Sequence, residues 1–121
     1  MKQALFPLAE LEPGEMRAVT VGGIEIVVVR ALDGSVHALR DRCAHSGARL
    51  SNGRLVQKVG GDDVDDYRLT GELVLRCPWH GYEYDITTGR CIADPEHVRA
   101  RTYKVVADDE AVWLVRRSAS R

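Results

Sequence analysis

Two short stretches constrain this chain more than anything else in it: CAH at 43–45 and CPWH at 77–80. Each supplies one Cys and one His, in the patterns C-x-H and C-x-x-H. Between His45 and Cys77 lie 31 residues. One Cys–His pair cannot complete a metal site, whereas Cys43, His45, Cys77 and His80 together offer four donors. A fold for this chain must therefore bring two distant loops to one centre. The third cysteine, Cys91, makes the count odd, which argues against a disulfide framework and for metal or redox use.

The rest of the pattern is mostly strand. β-Branched runs separated by Gly22-Gly23 and Asp33-Gly34-Ser35 predict strands near 17–21, 24–30 and 35–40, joined by hairpins. ELVLRCPW predicts a strand at about 72–76. YEYDITTGRCI predicts a hairpin turning at Thr88-Gly89, and RTYKVVADDEAVWLVRR a final hairpin turning near Asp108-Asp109-Glu110. FPLAELEPGE has room for an edge strand limited by its prolines. Helix signals are nearly absent, so the expected class is all-β, a sandwich or small barrel. At 121 residues the chain fits one domain, 1–121, able to bury roughly two-thirds of its unfolded surface. GGDDVDD, within 53–72, reads as a solvated surface loop, with cation binding by its acids as the weaker alternative.

Composition excludes several functions. The net charge is −1, from Lys+Arg 17 against Asp+Glu 18, so no basic excess points to nucleic acid or an anionic membrane. Apolar runs such as IVVV at 26–29 are too short to span a bilayer. MKQALFPLAELEPGE does not read as a signal peptide, and the expected location is the cytoplasm. No nucleotide-binding glycine motif and no acid–base or nucleophile constellation is present, so an enzyme in its own right is not expected.

The spacing narrows the metal. Zinc sites of two Cys and two His usually pair Cys with Cys and His with His, although a structural zinc domain stays open. Here each loop supplies one of each kind. That suits a two-iron cluster in which one iron takes both Cys and the other both His, each loop straddling the pair.

CAHSGARLS and CPWHGYEYDITTG resemble the two cluster-binding loops of Rieske iron–sulfur proteins, soluble Rieske-type ferredoxins and oxygenase Rieske domains above all. The resemblance runs from about VHALRDRC through Pro95. It implies one [2Fe–2S] cluster per chain, held by Cys43, His45, Cys77 and His80. It also implies an antiparallel β-sandwich or barrel with a small inserted cluster-binding subdomain, its loops at about 41–51 and 77–91. Ala44 and Arg49 stand where the family often has Pro. The long gap between the motifs implies an inserted surface loop over about 56–72 that leaves the ligands in place.

The resemblance extends to the cluster's surroundings. High-potential relatives join the loops with a disulfide at positions that here hold Ala48 and Trp79. They also use a Ser and a Tyr to donate to the cluster sulfurs, where this chain has Tyr82 and Tyr84. With only Tyr84 kept, a potential at the low end of roughly −150 to +300 mV is expected. Gly47 and Gly81 suit positive φ and close backbone approach. Trp79 is expected to cover the cluster. His37 and His97 read as ordinary surface histidines, and Cys91 as a small buried thiol. RARTYK at 99–104 reads as a solvated strand face, with a docking patch for an acidic partner as the alternative.

The expected function is one-electron transfer between a flavin-dependent ferredoxin reductase and a terminal oxygenase or other redox enzyme. The alternative is a small Rieske-type subunit of a larger enzyme such as a nitrite reductase.

Overall fold

The computed structural model describes residues 2–44, 46–60, 68–79 and 81–115. Ten strands occur among them: β1 Lys2–Pro7, β2 Met16–Val21, β3 Ile24–Arg30, β4 Val36–Arg40, β5 Arg54–Gly60, β6 Arg68–Arg76, β7 Glu83–Asp85, β8 Thr102–Tyr103, β9 Val105–Ala107 and β10 Ala111–Val115. They form three antiparallel sheets, in the orders β1-β10-β9, β2-β3-β4-β8 and β5-β6-β7. Two short 3₁₀ turns, Leu8–Glu10 and Leu50–Asn52, complete the regular structure.

The sheet β2-β3-β4-β8 divides the hydrophobic interior in two. Successive strand residues point to opposite faces. Ile26 and Val28 on β3, with Val36 and Ala38 on β4, join one core with Phe6, Val112 and Leu114. Val27, Val29 and Leu39 face the other way, into a core with Leu73, Leu75 and Tyr84. IVVV reads as an unbroken apolar run because both faces of β3 are covered.

The second core also holds Cys43, Cys77 and Cys91, so the two Cys–His stretches emerge where β5-β6-β7 meets the dividing sheet. Each stretch follows a strand, β4 for the first and β6 for the second.

Three differences from the sequence expectations have physical causes. The segment expected as a surface loop over about 56–72 is instead largely two arms of a hairpin. Val56 pairs with Val74, Gln57 with Leu73, and Gly60 with Arg68. RLVQKVG and RLTGELVLR alternate in the strand period, and that pattern outweighed the acidic block between them. Residues 61–67, which hold most of GGDDVDD, lie outside the described residues. The N-terminal strand spans Lys2–Pro7 rather than reaching into LEPGE, since Pro7 ends it and Leu8–Glu10 turns. RTYKVV is split: Thr102–Tyr103 joins β4, while Val105–Ala107 pairs with β10.

Candidate metal centre

The first loop is closed by its own backbone. The Cys43 N–H donates to the Ala48 carbonyl at 2.7 Å, and the Gly47 N–H to the Cys43 carbonyl at 2.9 Å. Its ends are tied by Asp41, whose side chain is fully buried. That carboxylate accepts the Ser51 N–H at 2.7 Å and the Ser51 hydroxyl at 2.6 Å. Arg49 Nε lies 3.4 Å from it, while the Arg49 fork also pairs with Glu25 on β3 at 2.7 Å. A buried charge persists when donors surround it. Asp41 has such donors, and through them it joins the start of the loop to its exit.

The second loop closes likewise, the Cys77 N–H donating to the Tyr82 carbonyl at 2.7 Å. Gly47 and Gly81 both take positive φ, 77° and 72°. Among the described residues a Cβ on either would meet no protein atom within 4 Å, so the positive φ is what calls for glycine.

The two loops then reach across to one another. The Tyr84 hydroxyl, from β7, lies 3.1 Å from Cys43 Sγ on the opposite loop and accepts the Ala44 N–H at 3.1 Å. The Ser46 hydroxyl, from the first loop, lies 3.5 Å from Cys77 Sγ and accepts the Ala48 N–H at 3.3 Å. Each hydroxyl oxygen is thus held by a backbone donor, which leaves its proton for the sulfur whenever that sulfur is a thiolate. The Trp79 N–H adds a further donor, 3.4 Å from Cys77 Sγ. Burial, reinforced by the neighbouring Cys43 thiol, pushes the Tyr84 hydroxyl well above the usual phenol range, so it stays protonated.

Cys43 and Cys77 are both buried, at 1% and 2% exposure. His45 and His80 lie outside the described residues. His37 is engaged at a distance from the loops, Nε2 lying 2.9 Å from the Ser35 hydroxyl on its own strand and turn. His97 is exposed and pairs with Asp94 at 2.9 Å. Cys91 is fully buried and bridges Tyr84 through its backbone. Trp79, expected to cover the site, is 61% exposed: its amide serves Cys77 while much of its indole faces solvent. Sequence reasoning missed Ser46 and the Asp41–Ser51 tie. Ser46 sits between His45 and Gly47 in the motif itself, and that position was the available signal.

The comparisons with known proteins agree with this arrangement. Residues 1–104 match the family model of the Rieske [2Fe-2S] domain. The ferredoxin component of the naphthalene 1,2-dioxygenase system of Pseudomonas aeruginosa is 28% identical over 107 residues, 88% of each chain. Apoptosis-inducing factor 3 of Homo sapiens is 30% identical over 114 residues, and the match takes in 16% of that longer protein. The ferredoxin of carbazole 1,9a-dioxygenase from Nocardioides aromaticivorans superimposes with a TM-score of 0.76 at 29% identity, over 97% of this chain and 99% of that one. A chain from a complex of reduced oxygenase and oxidised ferredoxin in carbazole 1,9a-dioxygenase gives 0.69 at 28% identity, over 93% and 91%. A putative NADH-dependent nitrite reductase small subunit from Mycobacterium tuberculosis gives 0.76 at 24% identity, over 98% and 97%, a likeness of fold alone.

A Rieske domain holds one [2Fe–2S] cluster, with two cysteines on one iron and two histidines on the other. The described part of the donor set, Cys43 and Cys77, fits the sulfur-ligated iron of that group. Two buried sulfurs each face a positioned hydroxyl, the environment that an anionic sulfur requires once removed from water.

Proposed function

The chain belongs to the Rieske [2Fe-2S] domain family, and from that premise we propose that it is a one-electron carrier of the ferredoxin type. It passes electrons from a flavin-dependent reductase to a terminal oxygenase. Cys43, His45, Cys77 and His80 hold the cluster, which supplies a single reversible electron. The residues around it set its potential and its access. Tyr84 and Ser46 donate to the cysteine sulfurs and so favour the reduced, more negative state. Asp41 fixes the geometry of the first loop.

The observation that carries this reading is the crosswise pair of hydroxyl–sulfur contacts between two buried cysteines on separate loops. A zinc-bound thiolate would accept the same donors, and the family match over residues 1–104 is what favours the iron–sulfur cluster. The match over almost the whole length of dedicated ferredoxin chains supports a carrier over a catalytic module. Among the described residues no helix is long and apolar enough to cross a membrane.

The test is metal content together with EPR of the dithionite-reduced protein. Iron with acid-labile sulfide, and a rhombic signal whose average g lies under the free-electron value, is the expected result. Zinc without sulfide would sink the proposal.

A further inference from the structure

Several arginines of this chain differ in whether they are paired. Arg17, Arg49 and Arg76 pair with Glu10, Glu25 and Glu83. Arg40, Arg42, Arg90, Arg99 and Arg101 are all exposed and make no ion pair among the described residues.

Arg54 on β5 is also exposed and stands apart from them, whereas these five lie together. The Arg40 N–H donates to the Arg101 carbonyl at 2.8 Å, which sets the end of β4 beside the residue that precedes β8. Arg99 and Arg101 flank the buried Ala100, and both are exposed. Arg90 stands opposite Arg99 in an antiparallel bridge. Arg42 directly precedes Cys43. The result is a strip of guanidinium groups with one end at the first cluster loop.

Like charges facing one another across strands destabilise a sheet. Two acids share this surface, Asp41 and Glu25, and both are paired with Arg49. The whole chain carries −1, so the strip is a local field and not a reflection of net charge.

The surface beside it is not purely polar. Arg40, Arg42 and Arg101 line a hollow with Ile24 and Tyr103. Ile24 is 45% exposed, and Arg101 lies over the Tyr103 ring, 5.4 Å from its centroid. Arg99 and Lys104 continue the cationic rim along an adjoining groove that shares Ile24, Arg101 and Tyr103.

We propose that this strip is the docking surface for a partner protein presenting an acidic, carboxylate-rich face, seated so that electrons pass through the adjoining cluster loops. The proposal rests on the electron-carrier reading and names the chemistry of the partner. Guanidinium forks bind carboxylates in pairs, and an apolar centre with a charged margin is the anatomy of a protein interface. The apolar centre at Ile24 and Tyr103 is matched by a protein face, whereas a phosphate backbone or a headgroup layer offers charge alone.

The experiment uses the cluster-bearing protein and fluorescently labelled poly-L-glutamate, with stopped-flow oxidation of the reduced protein by ferricyanide as a second readout. Charge reversal in Arg99→Glu/Arg101→Glu should weaken glutamate binding about tenfold or more and slow the ferricyanide reaction by a similar factor. It should also flatten the salt dependence of both, while visible and EPR spectra stay unchanged. Arg54→Glu, an exposed change on β5, should alter neither. Should the double variant lose its cluster, Arg40→Gln/Arg101→Gln carries the same test without adding acid. Unchanged binding and rates in a variant with a normal EPR signal would overturn the docking strip alone. Tighter binding to oligothymidylate or phosphatidylserine vesicles than to poly-L-glutamate would overturn the choice of partner. Absence of the EPR signal from the unaltered protein would count against the electron-carrier reading itself.

Discussion

The two faces of the sheet β2-β3-β4-β8 carry different cores, although adjacent residues of one strand build both. On one side Ile26 and Val28 meet Phe6, Val112 and Leu114, a core of hydrocarbon. On the other, Val27, Val29 and Leu39 meet Cys43, Cys77, Cys91 and Tyr84, a core with sulfur and a phenol in it. The first needs only volume and apolarity. The second must also place donors at fixed distances from two sulfurs, so its tolerance to change is lower and is read by different instruments.

The largest test of that contrast removes a ligand. Cys43→Ser or Cys77→Ser is expected to abolish the cluster's visible absorbance and EPR signal, while far-UV circular dichroism retains the strand signal of the hydrocarbon side. Retention of a full Rieske spectrum in either variant would contradict the proposed ligand set.

Core truncations come next. Ile26→Ala on the hydrocarbon side and Leu39→Ala on the sulfur side should each cost about 2–5 kcal/mol in chemical denaturation. Only Leu39→Ala should also speed cluster loss on standing. Equal cluster lifetimes in the two variants would show that the faces are not functionally distinct.

Finer still is the tuning by hydroxyls. Tyr84→Phe removes the donor 3.1 Å from Cys43 Sγ and should lower the midpoint potential by tens of millivolts, where about 59 mV corresponds to tenfold in a one-electron equilibrium. Ser46→Ala should shift it in the same direction by less, because its contact is longer, at 3.5 Å. A larger shift for Ser46→Ala would reverse the assigned ranking.

The smallest effect belongs to the hydrocarbon side and is a matter of pH. Asp108, in the β9–β10 turn, accepts the Ala111 and Glu110 N–H groups and Trp113 Nε1, each at 2.9 Å. Those donors, Ala111 first, hold its carboxyl below the ordinary value. A carboxyl depressed in the folded state contributes stability above its unfolded pKa, near 3.9, and loses it as pH falls through the lowered value. Asp108→Asn should therefore flatten part of the acid limb of the stability curve and leave the cluster spectrum alone. An unchanged acid limb would remove Asp108 from the account.

Much of this was legible in the chain itself, and the boundary has a physical origin. Ile24–Arg30 was predicted as a strand from its β-branched run, and the Thr88-Gly89 turn from its glycine, since both depend on neighbours in sequence. That Cys43 and Cys77 share one core was foreseeable because the spacing of the two Cys–His motifs is chemical information. The β5–β6 hairpin was missed because the acids between its arms suggested a solvated loop, whereas pairing such as Leu55 with Leu75 is a long-range fact. Ser46 against Cys77 and Asp41 against Ser51 also depend on how distant segments meet.

The crosswise placement of the hydroxyls has a consequence for anyone recombining these domains. The phenol that serves Cys43 comes from the strand after the second loop, and the hydroxyl beside Cys77 comes from the first. Transplanting one loop from a relative would therefore carry a cysteine away from its tuning group and deliver a tuning group to a foreign cysteine. Chimaeras that exchange both loops together should keep a coherent potential, and single-loop exchanges should not.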